Sequence, residues 1–477
     1  TTRYFHDGRG QLVGVLDAQG YLTEYVIDET WSVRAERRYA TAVAPVAGDT
    51  LSSLRGQAGT YQQVRRLYDG QGRLSVESNA EGTQTRYTYD AAGRLVKTET
   101  AHGTSEVREG HRRYNAFGEL IGEISGEGAL QLLPGMSEAQ LDAIYAQYGV
   151  RHSYDVLGRR IESIDAAGNK TWFFHDSAGR LTALFGPSGS GKTRYTAFGD
   201  VADTIAYTGR LTIPVPGSRA SAANAISTLA YAAAVDTRRQ YAYTARGQLA
   251  QVIDAENAMT TYAYTAFGDL SRVVAASGTA SASTTDHVYD RRGHLIQRTE
   301  GVGSGSVRNV GFSYDAFGRV IGEVDGRGTP TAYGYDRLGR QISVTRTVQG
   351  RVETVSTTYD AYRRTQVTDA RGMVTTYAYD PATQVMTVTS AEGIRVTTAY
   401  NRHGQVLTVA DAAGRVVTRN TYDRDGLLTS TSDAMNQAST HTYDTRGLLM
   451  ATVDASGRRV EFRYDAQGLL LQRIEDP

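Results

Sequence analysis

Two features of this 477-residue sequence could do chemistry. Gly186-Pro-Ser-Gly-Ser-Gly191-Lys192-Thr193 fits the phosphate-binding loop letter for letter. Phosphate chemistry there needs a strand ahead of the loop and a helix behind it, whose first amides face the anion. Leu181–Phe185 reads as the strand, but Arg194-Tyr195-Thr-Ala-Phe-Gly199 follows and reads as a strand end and a turn. The segment is expected to form a Gly/Ser hairpin tip, with nucleotide binding the lesser reading. The second feature is the nine histidines, which lack His-Glu-x-x-His and any pair at ligand spacing on one element. There is no Gly-x-Ser-x-Gly nucleophile elbow, and the absence of Cys excludes disulfides, thiolate metal sites and a Cys nucleophile. The expectation is a non-enzyme with no catalytic residue, no metal and no cofactor.

Both features lie inside a repeat, and the repeat must position them. A Tyr-Asp pair with Gly four residues after the Tyr recurs along the chain. It is carried in full by Tyr68, Asp69 and Gly72; Tyr89, Asp90 and Gly93; Tyr154, Asp155 and Gly158; Tyr314, Asp315 and Gly318; Tyr335, Asp336 and Gly339; Tyr443, Asp444 and Gly447; and Tyr464, Asp465 and Gly468. With weaker copies such as His6-Asp7, His175-Asp176 and Tyr195-Thr196, the frame occurs 18 times, at steps of 20 to 24 residues from Tyr314 to Tyr464. Halfway between copies lies a second turn, as at Asp165-Ala-Ala-Gly168 and Asp325-Gly-Arg-Gly328. Asp opening a type I turn can accept from the backbone two residues on, and Gly in fourth place supplies a positive φ. Two such turns in about 21 residues leave two strands of roughly six residues, so each copy is one β-hairpin closed by a bulge.

Alternation agrees with strands. The residue two before the motif Tyr or His is aromatic in nine copies, among them Tyr87, Phe312 and Phe462, which predicts an aromatic ladder on one sheet face. His6 and His175 occupy the motif position, and His152, His287 and His441 the position two before it. Arg follows the turn Gly at 73, 94, 159, 180, 319 and 340. That row could line a cavity, or pair with turn carboxylates; the balance of 51 Lys+Arg against 51 Asp+Glu favours pairing and argues against a nucleic-acid partner. The Tyr rows could bind glycans by stacking, with sheet packing the plainer reading. Insertions are expected at about 34–60, 128–150 and 208–238. In the second of these, Ser137 reads as a helix N-cap and Gln140 completes its capping box; Ala-rich 219–235 also reads as helical. No apolar run approaches a membrane span.

Tandem units such as Tyr68-Asp-Gly-Gln-Gly72-Arg73-Leu74 and Tyr89-Asp-Ala-Ala-Gly93-Arg94-Leu95 resemble the YD repeats of the Rhs family, found also in toxin-complex shell proteins and teneurins. The spacing predicts an all-β chain of tandem hairpins over 1–477 with a few short helical insertions. The resemblance implies that the sheet spirals into a hollow shell, or part of one. It further implies a bacterial, secreted or cell-surface protein, cut from a longer parent, whose shell protects a C-terminal toxin or effector until delivery by a secretion system. The alternative is an extracellular adhesion module binding glycan or protein through the insertions or the Tyr rows. The self-cleaving segment and toxin that follow the repeats in the family have no counterpart among these residues.

Overall fold

Each motif Asp folds its own turn. In the computed structural model, Asp69 Oδ1 accepts from the amides of Gln71 (2.9 Å) and Arg73 (3.0 Å), and the Asp69 amide donates to the Arg73 carbonyl (2.8 Å). Gly72 takes φ 78°, and the register shifts by one residue between Leu67 and Tyr68. This is the type I turn with its bulge, and the same bonds recur at Asp90, Asp155, Asp315, Asp336 and Asp444. Half a repeat later, Asp165 and Asp325 build the second turn in the same way.

The structure describes residues 2–30, 32–186, 189–207, 219–228, 231–232 and 235–475. Among them, 38 strands form one antiparallel sheet in which each strand pairs with the next in the chain. The first strand, Arg3–His6, and the last, Leu470–Glu475, are not paired with each other, so the sheet is open. Thirty-eight strands make nineteen hairpins, one more than the Tyr-Asp frame counts. The extra hairpin turns at Ile27-Asp28, 21 residues after His6, where Asp28 Oδ1 accepts from the amides of Thr30 and Ser32, both at 2.9 Å. Ile27 in the Tyr position and Trp31 in the Gly position hid it.

Among the described residues, helices occur only where the rhythm breaks: α1 (Leu51–Ala58), α2 (Gly126–Ala129), α3 (Glu138–Tyr148) and α4 (Arg219–Thr228). Ser137 caps α3, accepting from the Gln140 amide while Gln140 reaches back to the Ser137 amide. The first insertion is narrower than 34–60, because Val33–Tyr39 is a sheet strand; its polar sequence, with Ala35 and Tyr39 its buried residues, carries no Tyr-Asp frame. The third insertion is likewise cut back at its end by the strand Thr237–Tyr243, and its residues 208–218, with Pro214 and Pro216, lie outside the described residues.

A sheet with no second layer buries little, and the buried apolar clusters sit under the helices. Leu16, Leu22, Tyr39, Val43, Leu54 and Ala58 close around α1, with Phe5 and Leu51 against them. Trp172, Ala183, Phe185 and Ala222 form a second cluster under α4, and Tyr145 of α3 covers Gly122, where a Cβ would meet its ring at 2.9 Å. Phe5, Arg113 and Phe174, which touch the helical segments, each lie one residue before a motif Tyr or His. Strand alternation therefore places α1, α3 and α4 on the sheet face opposite the motif Tyr. Leu54→Ala opens a cavity in the α1 cluster and is expected to lower local stability by about 2–4 kcal/mol. In hydrogen exchange, protection is lost first in strands 3–39, while strands beyond residue 240 keep theirs.

Candidate functional site

With no second layer, the wall itself is the candidate site, and the motif residues are what hold one hairpin to the next. The bulge leaves Leu74 beyond the last rung its strand shares with the following hairpin, Val76 opposite Arg86. The hydroxyl of Tyr89 reaches back and donates to the Leu74 carbonyl at 2.9 Å. The same bond joins Tyr154 to Leu120 (2.8 Å), Tyr314 to Leu295 (2.7 Å), Tyr335 to Val320 (2.8 Å) and Tyr443 to Leu428 (2.8 Å), each Tyr serving the preceding hairpin. Tyr68 makes a longer version to the Val33 carbonyl (3.3 Å).

Arg clamps the same joint in the other direction. Arg94 Nε donates to Asp90 Oδ2 (2.7 Å) in its own turn, its Nη1 donates to the carbonyl of Asn115 in the next (2.8 Å), and its guanidinium lies 5.1 Å from the centre of the Tyr114 ring. Arg73, Arg319 and Arg340 repeat all three contacts, with Asp69, Asp315 and Asp336 as their own-turn partners. After Asp444 the clamp is Arg446, from inside the turn, with Asp444 Oδ2 at 3.0 Å and the Asp465 carbonyl at 3.1 Å. The Arg row is thus engaged in pairing, as charge balance suggested. The expected aromatic ladder is replaced: successive motif Tyr are two strands, ~9.6 Å, apart, and Arg fills the gap between rings.

These contacts fix the charge state of the turns. Arg159 and the amides of Arg159 and Leu157 hold the Asp155 carboxyl at about 2, and the His294 and Arg292 amides with the His294 side chain do the same for Asp290. Asp69, Asp90, Asp176, Asp315 and Asp336 are lowered in the same direction by their own-turn Arg and amides.

A second set of contacts joins residues 282 to 324 positions apart. Hairpin tips late in the chain sit on inter-hairpin turns near its start. Arg337 donates to the Ala18 carbonyl (3.4 Å), the Tyr362 hydroxyl donates to the Arg38 carbonyl (2.7 Å), and Arg363 pairs with Glu81. The Arg402 amide donates to Glu106 (2.7 Å), and His403 Nε2 lies 2.8 Å from the Glu106 carbonyl, so that nitrogen carries the proton. Arg424 bonds Glu127 through its amide (2.9 Å) and the Val107 carbonyl through Nη1 (2.6 Å), and Asn169 donates to the Ala466 carbonyl (3.4 Å). The sheet therefore coils and meets itself along a seam. Ala18 and Arg337 are separated by 23 strands. At ~4.8 Å per strand, that circuit of ~110 Å closes a ring about 35 Å across.

The residues that sequence reading first weighed for chemistry are placed in the wall. Gly189–Tyr195 is a strand, with Lys192 opposite Ala183 on one side and Ile205 on the other. Its amides run in the ladder, no helix N-terminus follows, and residues 187 and 188 lie outside the described residues. His152 bonds Ser163 (2.9 Å) and His441 bonds Thr452 (3.1 Å) across neighbouring strands, while His6, His175 and His287 also stand on strands. Among the described residues, no group of three or more His, Cys, Asp or Glu is arranged to hold a metal. The seam carried no sequence signal, because its partners share no motif and lie about 300 residues apart.

Tyr314→Phe removes one hydroxyl and leaves the Leu295 carbonyl without it, an expected loss of about 1–2 kcal/mol in urea unfolding. Arg340→Lys keeps the charge and loses the fork and the ring contact, so it is expected to destabilise rather than be neutral. Because folded-state carboxyl values are depressed, their contribution is complete above the ordinary value near 4 and disappears as pH falls toward 2. Thermal midpoints are expected to hold from pH 7 to about 4 and then drop toward pH 2.

The RHS repeat family matches residues 68–105, 243–280 and 314–352, and the teneurin YD-shell family matches residues 335–476. No curated protein matches the chain. Among solved structures, a Tc holotoxin pore from Photorhabdus luminescens is 14% identical with a TM-score of 0.65, over 99% of this chain and 26% of that one. The crystal structures of TcdB2-TccC3-TEV and of TcdB2-TccC3 without its hypervariable C-terminal region are each 13% identical with a TM-score of 0.59, at the same coverages. The chain spans about a quarter of the length of the chains it resembles, and the likeness is one of fold. With the Tyr-Asp-x-x-Gly hairpin repeated along a single coiled sheet and both repeat families matched, the chain belongs to the Rhs/YD-repeat family.

Proposed function

We propose that the chain is a wall segment of a secreted bacterial shell, which encloses a polypeptide cargo, a toxin or effector, and keeps it from the producing cell and from proteases until delivery. The observation that carries this reading is the seam. A sheet that meets itself after about 300 residues separates an inside from an outside, and the bonds from Arg402, Arg424 and Asn169 close the gap between successive turns of the coil. A circuit about 35 Å across, less a wall ~10 Å thick, leaves a channel roughly 25 Å wide, enough for a polypeptide chain. The likeness in fold to a Tc holotoxin structure gives further support. On this reading the wall acts by exclusion, and no side chain of it is catalytic.

A flexible, protease-sensitive segment joined after residue 477 tests the idea. Its cleavage is expected to be at least about tenfold slower than that of the free segment, and to speed up when Arg424→Ala and Glu106→Ala loosen the seam. Cleavage as fast as in the free segment, with the wall still folded by circular dichroism, would refute enclosure.

A further inference from the structure

Within the described residues the coil presents two rims, and each is unlike the seam. On the rim formed by hairpin tips of the first circuit, Phe117, Phe198, Phe267 and Phe317 are 85–96% exposed. Each stands just before the turn Gly, in Tyr-x-Ala-Phe-Gly. One tip in the seam carries an aromatic residue at the same place: Tyr362, in Tyr359-Asp-Ala-Tyr362. Tyr362 is inserted into an inter-hairpin edge, where its hydroxyl donates to the Arg38 carbonyl (2.7 Å) and accepts from the Gln62 amide (3.3 Å), and its neighbour Ala361 is buried. An aromatic tip at this position is therefore a plug for an inter-hairpin edge. Phe lacks the hydroxyl and calls for an apolar seat.

The opposite rim offers such seats. Val352, Ile394 and Met435 lie in or beside inter-hairpin turns of the second circuit and are 59–79% exposed. The spacing of three of these tips matches. Phe198, Phe267 and Phe317 fall on every second hairpin, and so do Val352, Ile394 and Met435, while Phe117 stands three hairpins before Phe198 and outside the row. Four strands, ~19 Å, separate neighbours in each row. Both rows also advance in the same chain direction, as the two sides of the seam do, so a translated copy meets the edge in register.

We propose that copies of this chain stack head to tail, with the Phe198, Phe267 and Phe317 tips of one copy seated on the Val352, Ile394 and Met435 edge of a second, continuing the seam from molecule to molecule. Three Phe with their seats bury about 1,000 Å², the low end for a specific interface, so the joint is expected to be concentration-dependent. Being heterologous, it leaves a free rim at each end and adds further copies in a tube.

Sedimentation velocity across a rising concentration series reads the outcome directly. The wild-type chain is expected to form dimers and longer species. A tip variant (F198D/F267D/F317D) and an edge variant (V352D/I394D/M435D) are each expected to stay monomeric, with association weakened at least about 100-fold. Their 1:1 mixture is the decisive arm, because each keeps one working rim and the two can pair only once. It is expected to give a dimer and nothing longer. Circular dichroism and thermal midpoints establish that both variants fold. A wild-type chain that stays monomeric throughout, a tip variant that stacks like wild type, or a mixture that gives no dimer overturns the proposal. Because it does not require an enclosed cargo, its failure leaves the enclosure test unaffected.

Discussion

One carbonyl per hairpin sets the terms for this wall. Closing a tip with a bulge gives a tight, self-folding turn, but it shifts the register and leaves the first residue of the outgoing strand past the end of its next ladder. A main-chain acceptor left without a partner there costs about 1–3 kcal/mol, and it recurs wherever a tip closes with the bulge, the Tyr379 hairpin closing without one. Tyr is the side chain that solves this geometry. It is long enough to reach the neighbouring strand beyond its last rung, and its hydroxyl donates to carbonyls such as those of Leu74 and Leu295 while its ring supplies apolar surface. Phe could pack there but not bond, which is why Tyr outnumbers Phe by 31 to 10.

The Arg clamp follows from the same constraint. Exposed ion pairs contribute little alone, about 0–1 kcal/mol. Arg94 has more than an ion pair: its fork is held by Asp90, its other edge meets the Asn115 carbonyl, and its plane lies over Tyr114. Lys has the charge but neither the fork nor the plane, and the chain holds only three Lys, at 97, 170 and 192. The clamp joins a turn to the next turn, and the Tyr bond joins a hairpin to the one before. A joint such as that between the Asp90 and Asn115 turns is thus bonded from both sides without a hydrophobic core beneath it.

How much of this could be read from sequence depended on whether a contact repeats. Turn chemistry, hairpin length, the helix capped by Ser137 and the strand placement of the histidines all rest on residues within a few positions of each other, and the 21-residue frame displays them many times over. The direction of the Arg side chain towards the following hairpin was not legible, since spacing gives the neighbour but not which of two carboxylates or carbonyls a guanidinium reaches. The hairpin at Ile27-Asp28 was missed because two substitutions broke the frame, Ile27 for Tyr and Trp31 for Gly, while the Asp that folds the turn remained. The seam was invisible for a deeper reason. Glu106 with Arg402, or Glu127 with Arg424, are ordinary polar residues whose meeting is decided by the curvature summed over more than twenty strands, and no local pattern records that sum.

The seam also changes how such an array holds together. A repeat protein with nearest-neighbour contacts alone frays from its ends, because a terminal unit has one neighbour where an inner unit has two. Here the inter-hairpin turns of the first circuit from Ala18 to Asn169 are covered by tips from Arg337 to Ala466. To lift away, an early hairpin must break its ladder and also the bonds of a tip that belongs to a distant, otherwise independent stretch of chain. The two ends of the chain consequently cap each other, and the hairpins between residues 189 and 335 depend on their sequence neighbours alone. Local opening is then concentrated in that middle stretch rather than at the termini, the reverse of what a linear array of the same hairpins would show.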